Sequence, residues 1–136
     1  MALVVVDTGP LYAVVDRDDA DHERCRAILE RSDLQLVVPA LAVAEATYLV
    51  GSRLGSRVEA KFLEGLGTLD IQAPAPDDWA RIGQLVTKYE NFPLGGTDAS
   101  VVALAERLDV DTIVTLDRRH FGAIRPKHRK AFKILP

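Results

Sequence analysis

Short, valine-rich runs without polar alternation recur along this chain, each set between stretches with helical spacing. Leu3–Val6, Leu34–Val38, Leu69–Ile71 and Thr112–Thr115 are too short for helices and read as strands buried on both faces. Phe132–Leu135 reads as a last edge strand. A short helix is expected with Pro10 near its start, then one over Ala20–Arg31 with Cys25, Ile28 and Leu29 at helical spacing. Leu41–Leu54 is a strongly apolar helix stopped by Gly55, and roughly Arg57–Leu66 is another, stopped by Gly67. Pro76 opens a helix that runs to about Tyr89, with Trp79, Ile82, Leu85 and Val86 expected to face inward. Asn91–Gly96 is a loop before a helix over Thr97–Leu108. Such alternation predicts an α/β fold: a central parallel sheet with helices on both faces.

In a parallel sheet the connecting helices run against the strands, so strand ends and helix starts share one edge, where ligands bind. Asp7 ends the first strand, and Asp117 follows "TIVT" by two residues. Asp98 lies in the first turn of its helix, after "GGT". Glu45 lies early in the helix after Pro39, within about 10 Å of its start at 1.5 Å per residue. Each acid also admits an ordinary explanation. Asp7 suits an Asx-turn, Asp98 a helix N-terminus and Asp117 a salt-bridged turn beside Arg118 and Arg119. Glu45 is harder to explain, because Leu41, Ala42, Tyr48 and Leu49 on one side and Val43, Val50 and Leu54 on the other suggest a buried helix. A lone buried carboxylate there is costly without a partner or a metal. Independent accidents should not gather four acids on one edge. Four converging carboxylates stay ionised only if a cation holds them, and oxygen-only ligands select Mg²⁺ or Mn²⁺. Such ions at acidic clusters serve phosphoryl chemistry.

Composition narrows the field further. At 136 residues, 48% hydrophobic and 27% charged, the chain is read as one domain over 1–136. The single cysteine, Cys25, excludes an internal disulfide and a cysteine-based zinc site. No signal-peptide pattern or membrane-length apolar run appears, so a cytoplasmic location is expected. The net charge of −3 conceals an asymmetry: residues 118–136 carry +7 and residues 1–117 carry −10. A basic segment beside an acidic body suits a polyanionic ligand held near carboxylates, or simply a solvated end.

The segments "VVVDTGPL", "AVAEATYL", "GGTDAS" and "IVTLDRRHF", in that order, resemble the PIN-domain ribonucleases, and more narrowly the VapC toxins of bacterial type II toxin–antitoxin pairs. The resemblance covers nearly the whole chain. It implies a single PIN-like domain with strand order 3-2-1-4-5 and a Mg²⁺- or Mn²⁺-dependent endoribonuclease cutting single-stranded or loop RNA such as tRNA or rRNA. It further implies a homodimer silenced by a VapB-type antitoxin. Asp7, Glu45, Asp98 and Asp117 match the family's four acids, and Thr8 and Thr115 match hydroxyls that line its site. Many relatives carry a further acid two residues after the fourth, where this chain has Arg119, so a second metal is expected to be weakly held or to arrive with substrate.

On this reading Asp7 and Asp98 are the main ligands of the better-bound metal. Glu45 binds it through water or acts as general base, and Asp117 helps hold a second ion or positions the nucleophile. Hydrolysis leaves a 5′-phosphate and a 3′-hydroxyl. Arg118, Arg119, Arg125, Lys127 and Arg129 are candidate RNA contacts. His22 is expected on an exposed helix face, and His120 and His128 in the basic segment without metal-like pairing. Cys25 and Trp79 are expected in the core. Apolar surface on Leu41–Leu54 and Val58–Leu66 is either a dimer or antitoxin groove or covered core. Haloacid-dehalogenase phosphatases need a second Asp where Gly9 stands. Response-regulator receivers need an acidic pair at Asp7 and a strand-ending Asp, whereas Asp70 precedes its strand. A catalytically silent PIN-like binding module is the remaining alternative.

Overall fold

Strand β1 (Ala2–Val6) shows why its valines carry no polar alternation. Successive side chains point to opposite faces: Val4 and Val6 enter one apolar core, Val5 the other, and all three are at most 1% exposed. The same split separates Val37 from Val38 in β2 (Leu34–Pro39) and Ile113 from Val114 in β4 (Thr112–Val114). With β3 (Asp70–Gln72) and β5 (Lys133–Leu135), these form one sheet ordered β3-β2-β1-β4-β5, parallel at every pairing. The computed structural model describes residues 1–136. The expected fold class and strand order are those observed.

Helices α1 (Thr8–Ala13), α2 (His22–Leu29), α3 (Ala40–Leu54) and α4 (Ser56–Gly65) cover the face of Val4 and Val6, followed by a 3-10 turn at Leu66–Thr68. Helices α5 (Pro76–Lys88), α6 (Gly96–Arg107) and α7 (Arg118–Ala123) cover the other. Gly55, at φ 91°, separates α3 from α4 in a conformation that a side chain would strain. The chain moves outward from β1 to β3, then returns to place β4 on the other side of β1. The switch point therefore lies between the ends of β1 and β4.

Several expectations need correction. Trp79 is 53% exposed and Val86 36%. Helix α5 packs on α6 through one stripe, and Asp78, Ile82 and Leu85 occupy it. Helix α3 is not buried on both sides: only Ala42, Ala46 and Val50 are fully buried, and Ala44, Glu45 and Tyr48 are exposed. Its second apolar side lies at the surface because the sheet takes only one face of the helix. His22 is not on an open face. Its half-buried ring sits with Nδ1 2.7 Å from the Ala13 carbonyl, tying α2 to α1. Helix α7 lies where the sequence shows no helical spacing, and Thr115, Leu116 and Asp117 join it to β4. Cys25 is buried as expected. No helix is long and apolar enough to cross a membrane.

Candidate metal and phosphodiester site

Asp7 leaves β1 at the switch point. Its backbone N–H donates to the Val114 carbonyl at 2.9 Å, and the residue enters α1 without capping the helix through its side chain. An Asx-turn or cap therefore does not account for the carboxylate. Thr115, 1% exposed at the end of β4, donates its hydroxyl to Asp7 Oδ2 at 2.8 Å and accepts the Asp117 N–H at 3.0 Å. This hydroxyl ties the ends of β1 and β4 together. Asp7 is only 5% exposed, and its other oxygen, Oδ1, has no partner; the buried hydroxyl of neighbouring Thr8 has none either. Unpartnered buried oxygens are costly, so a ligand here would relieve a real penalty.

Asp7, Glu45, Asp98 and Asp117 line one cleft of about 440 Å³ together with Thr8 and Gly9, and Leu49 and Leu116 form its apolar wall. The four acids are thus brought to one edge. Of these, Glu45 is exposed and Asp98 half-buried. Burial raises the Asp7 carboxyl from 3.8 to about 6, against the pull of the Thr8 backbone N–H and the Thr115 hydroxyl, with Asp98 and Glu45 adding to the rise. Asp98 is likewise raised, first by burial and then by Asp117 and Glu45, while His120 opposes the rise. Like charges that push each other toward the neutral form are what a cation would reverse.

Asp117 makes two bonds to one residue. As the cap of α7 it accepts the His120 N–H at 3.0 Å on Oδ1, and His120 Nδ1 lies 2.6 Å from Oδ2. The histidine pairing was missed in the sequence because α7 is too short to show periodicity. A carboxylate followed three residues later by His at a helix start was its one visible trace.

The residues fit a hard cation. The donors are all oxygens, one carboxylate oxygen is buried and unpartnered, and its neighbours are acidic. No three His, Cys, Asp or Glu side chains already converge on one point. Mg²⁺ keeps several waters and takes only one or two carboxylates directly, so it needs no ready-made cage of three.

The basic residues separate. Arg118 and Arg119 are exposed in the first turn of α7, directly after Asp117. Arg125 lies farther along, its backbone N–H donating to the Tyr89 hydroxyl at 3.0 Å. Lys127 donates its backbone N–H to Glu106, and Arg129 pairs with Asp109 at 2.8 Å, both where α6 ends and β4 begins. That is the opposite edge of the sheet from the cleft. His128 also sits there, its Nε2 2.6 Å from the Val110 carbonyl.

Comparison with known proteins agrees with this geometry. The PIN domain family model matches residues 4–125. The chain is 36% identical over 135 residues to Ribonuclease VapC26 of Mycobacterium tuberculosis, covering 98% of this chain and 100% of that protein. Among solved structures, the sarcin–ricin-loop-cleaving toxin VapC20 of Mycobacterium tuberculosis superposes with a TM-score of 0.76 at 14% identity, covering 81% of this chain and 86% of that one. DNA-bound VapBC from Salmonella typhimurium gives a TM-score of 0.70 at 19% identity, over 98% and 97%. By its fold, its acidic cleft and its sequence, the chain belongs to the PIN-domain family.

Proposed function

We propose that this protein is a metal-dependent endoribonuclease, the toxin of a type II toxin–antitoxin pair, acting in the cytoplasm on single-stranded or loop RNA. The observation that carries the reading is Asp7: a buried carboxylate steered by Thr115, with one oxygen free, in a cleft with three other acids. A bound Mg²⁺ or Mn²⁺ would supply charge neutralisation at the scissile phosphate and a more acidic attacking water. Asp7 and Asp98 would hold that cation. Glu45, an exposed acid of the cleft, takes the proton of the attacking water, directly or through another water. Asp117, fixed by His120, orients water on the side facing Asp98. Water adds to phosphorus as the bond to the 3′-oxygen breaks, and that oxygen takes a proton from solvent, leaving a 5′-phosphate and a 3′-hydroxyl.

Arg118 and Arg119 supply positive charge beside the cleft, whereas Lys127 and Arg129 are too far round the sheet to share that task. An apolar groove of about 260 Å³ runs between α1–α2 and α4, with Leu11, Val14, Leu29, Phe62 and Leu66 among its walls. No residue of α4 is fully buried, so the helix keeps apolar area for a partner. We assign this groove to a VapB-type antitoxin and the exposed α3 face around Tyr48 to a second copy. A silent binding module is disfavoured, because it would have no use for an unpartnered buried carboxylate. The test is to incubate the purified protein with structured RNA and Mg²⁺, with and without chelator, beside Asp7→Asn. Cleavage lost on chelation and in the variant supports the reading; equal cleavage by both proteins discards it.

A further inference from the structure

The loop between α5 and α6, "NFPLGG", supplies no carboxylate to the cluster, only the Gly95 backbone N–H to Asp98, yet it builds an ordered surface at its lip. Phe92 packs edge-on against His120, ring centroids 4.8 Å apart, and the Arg119 guanidinium sits 5.4 Å above the Phe92 ring. His120 in turn holds Asp117. Phe92 is thus one side chain removed from the acidic cleft. The loop is pinned at both sides: the Phe92 N–H donates to the Tyr89 carbonyl at 2.9 Å, and Leu94 is 3% exposed in the core.

Among the arginines that follow Asp117, Arg119 is the one that rests on an aromatic ring, a contact that Arg53 makes with Tyr12 in another part of the chain. Arg118 donates to the Pro136 carbonyl, and Arg81, Arg107 and Arg129 are paired with carboxylates. Arg119 has no carboxylate partner; its recorded contact is the aromatic face. A guanidinium resting on a ring is desolvated on one side and open on the other. A planar cation of that kind stacks well with a nucleobase. A phosphate grip alone would need no aromatic support.

Resting on the ribonuclease reading above, we propose that Phe92 and Arg119 form a shelf on which one unpaired base of the RNA stacks, setting the register of the strand across the acidic cleft. The ligand class is a single-stranded or looped RNA with an unstacked base next to the cut bond. Stacking is tolerant of base identity, so the shelf selects for an unpaired base rather than a particular one.

The test uses the full chain carrying Asp7→Asn, which keeps RNA intact, and fluorescein-labelled RNA hairpins with randomised loops, read by fluorescence anisotropy. Adding Phe92→Ala should weaken binding about ten-fold or more, and Phe92→Trp should restore it. Arg119→Lys, which keeps the charge and loses the plane, should weaken binding nearly as much as Arg119→Ala while preserving its salt dependence. Replacing the stacked base by an abasic site should weaken the parent and leave the Phe92→Ala protein unaffected. Unchanged affinity in Phe92→Ala, with a thermal melt like the parent's, overturns the shelf. So does an Arg119→Lys protein that binds as the parent does. If the parent binds no hairpin and the wild type cuts no RNA, the ribonuclease reading fails, and the shelf with it.

Discussion

The two edges of the sheet treat their carboxylates in opposite ways. At the edge where α6 ends, every partly buried acid has a cation. Glu106 takes a two-pronged bond from Arg81 at 2.8 Å, Asp78 takes Arg107 at 2.8 Å, and Asp111 lies 3.4 Å from Lys133. Glu106 is held below its ordinary value by Arg81 despite its burial. At the edge where β1 and β4 end, no Lys or Arg pairs with the acids, and burial, with the neighbouring carboxylates adding to it, pushes Asp7 and Asp98 upward. Both edges bury carboxylates; only the first has neutralised them. Acids that serve structure are matched by the chain itself, whereas acids that repel one another are those a cation from outside would neutralise.

Breaking each edge should therefore have a different consequence. Asp7→Asn should lower metal-dependent RNA cleavage on the order of 10³-fold or more, measured as kcat/KM, while the protein stays folded. Glu106→Ala should do the reverse. It leaves Arg81 buried without its partner, costs about 3 kcal/mol by urea denaturation, and leaves cleavage per folded molecule unchanged. Thr115→Val removes the hydroxyl that favours the charged form of Asp7. It should raise the Asp7 carboxyl further, move the acidic limb of the activity profile to higher pH and lower activity about ten-fold at neutral pH. Arg129→Ala breaks an exposed pair at the matched edge and should cost less than about 0.5 kcal/mol.

The contrast between edges was only partly legible in the sequence. Strands buried on both faces leave unmistakable valine runs, and a parallel sheet turns "end of strand" into "same edge", so Asp7, Asp98 and Asp117 could be grouped without coordinates. Glu45 was grouped correctly for the wrong reason: its helix is exposed on that side, and the acid sits at the mouth of the cleft. Charge counting failed for Lys127 and Arg129 because a run of basic residues does not reveal that the chain doubles back along the sheet. Trp79 was misplaced because its spacing to Ile82 and Val86 suited the inward stripe that Asp78 occupies instead. Phe92 carries no pattern and His120 only its spacing from Asp117, since a loop and a six-residue helix have no periodicity to read.

Asp7 is also where stability and function oppose each other. Its carboxyl titrates near 3.8 in the unfolded chain and at about 6 in the folded one. Between those values the folded chain keeps a proton that the unfolded chain has lost, so stability falls as pH rises through that window. Above it the deficit is constant at about 3 kcal/mol. A bound cation removes that deficit, and so does an amide in place of the carboxylate. The most direct measurement is thermal unfolding at pH 7.5 of the wild type and Asp7→Asn, each without metal and with Mn²⁺. The wild type should melt lower than the variant without metal and rise when Mn²⁺ is added, while the variant should not respond. A variant that melts below the metal-free wild type, or that gains as much from Mn²⁺, would contradict the assignment of Asp7 as the acid held for the metal.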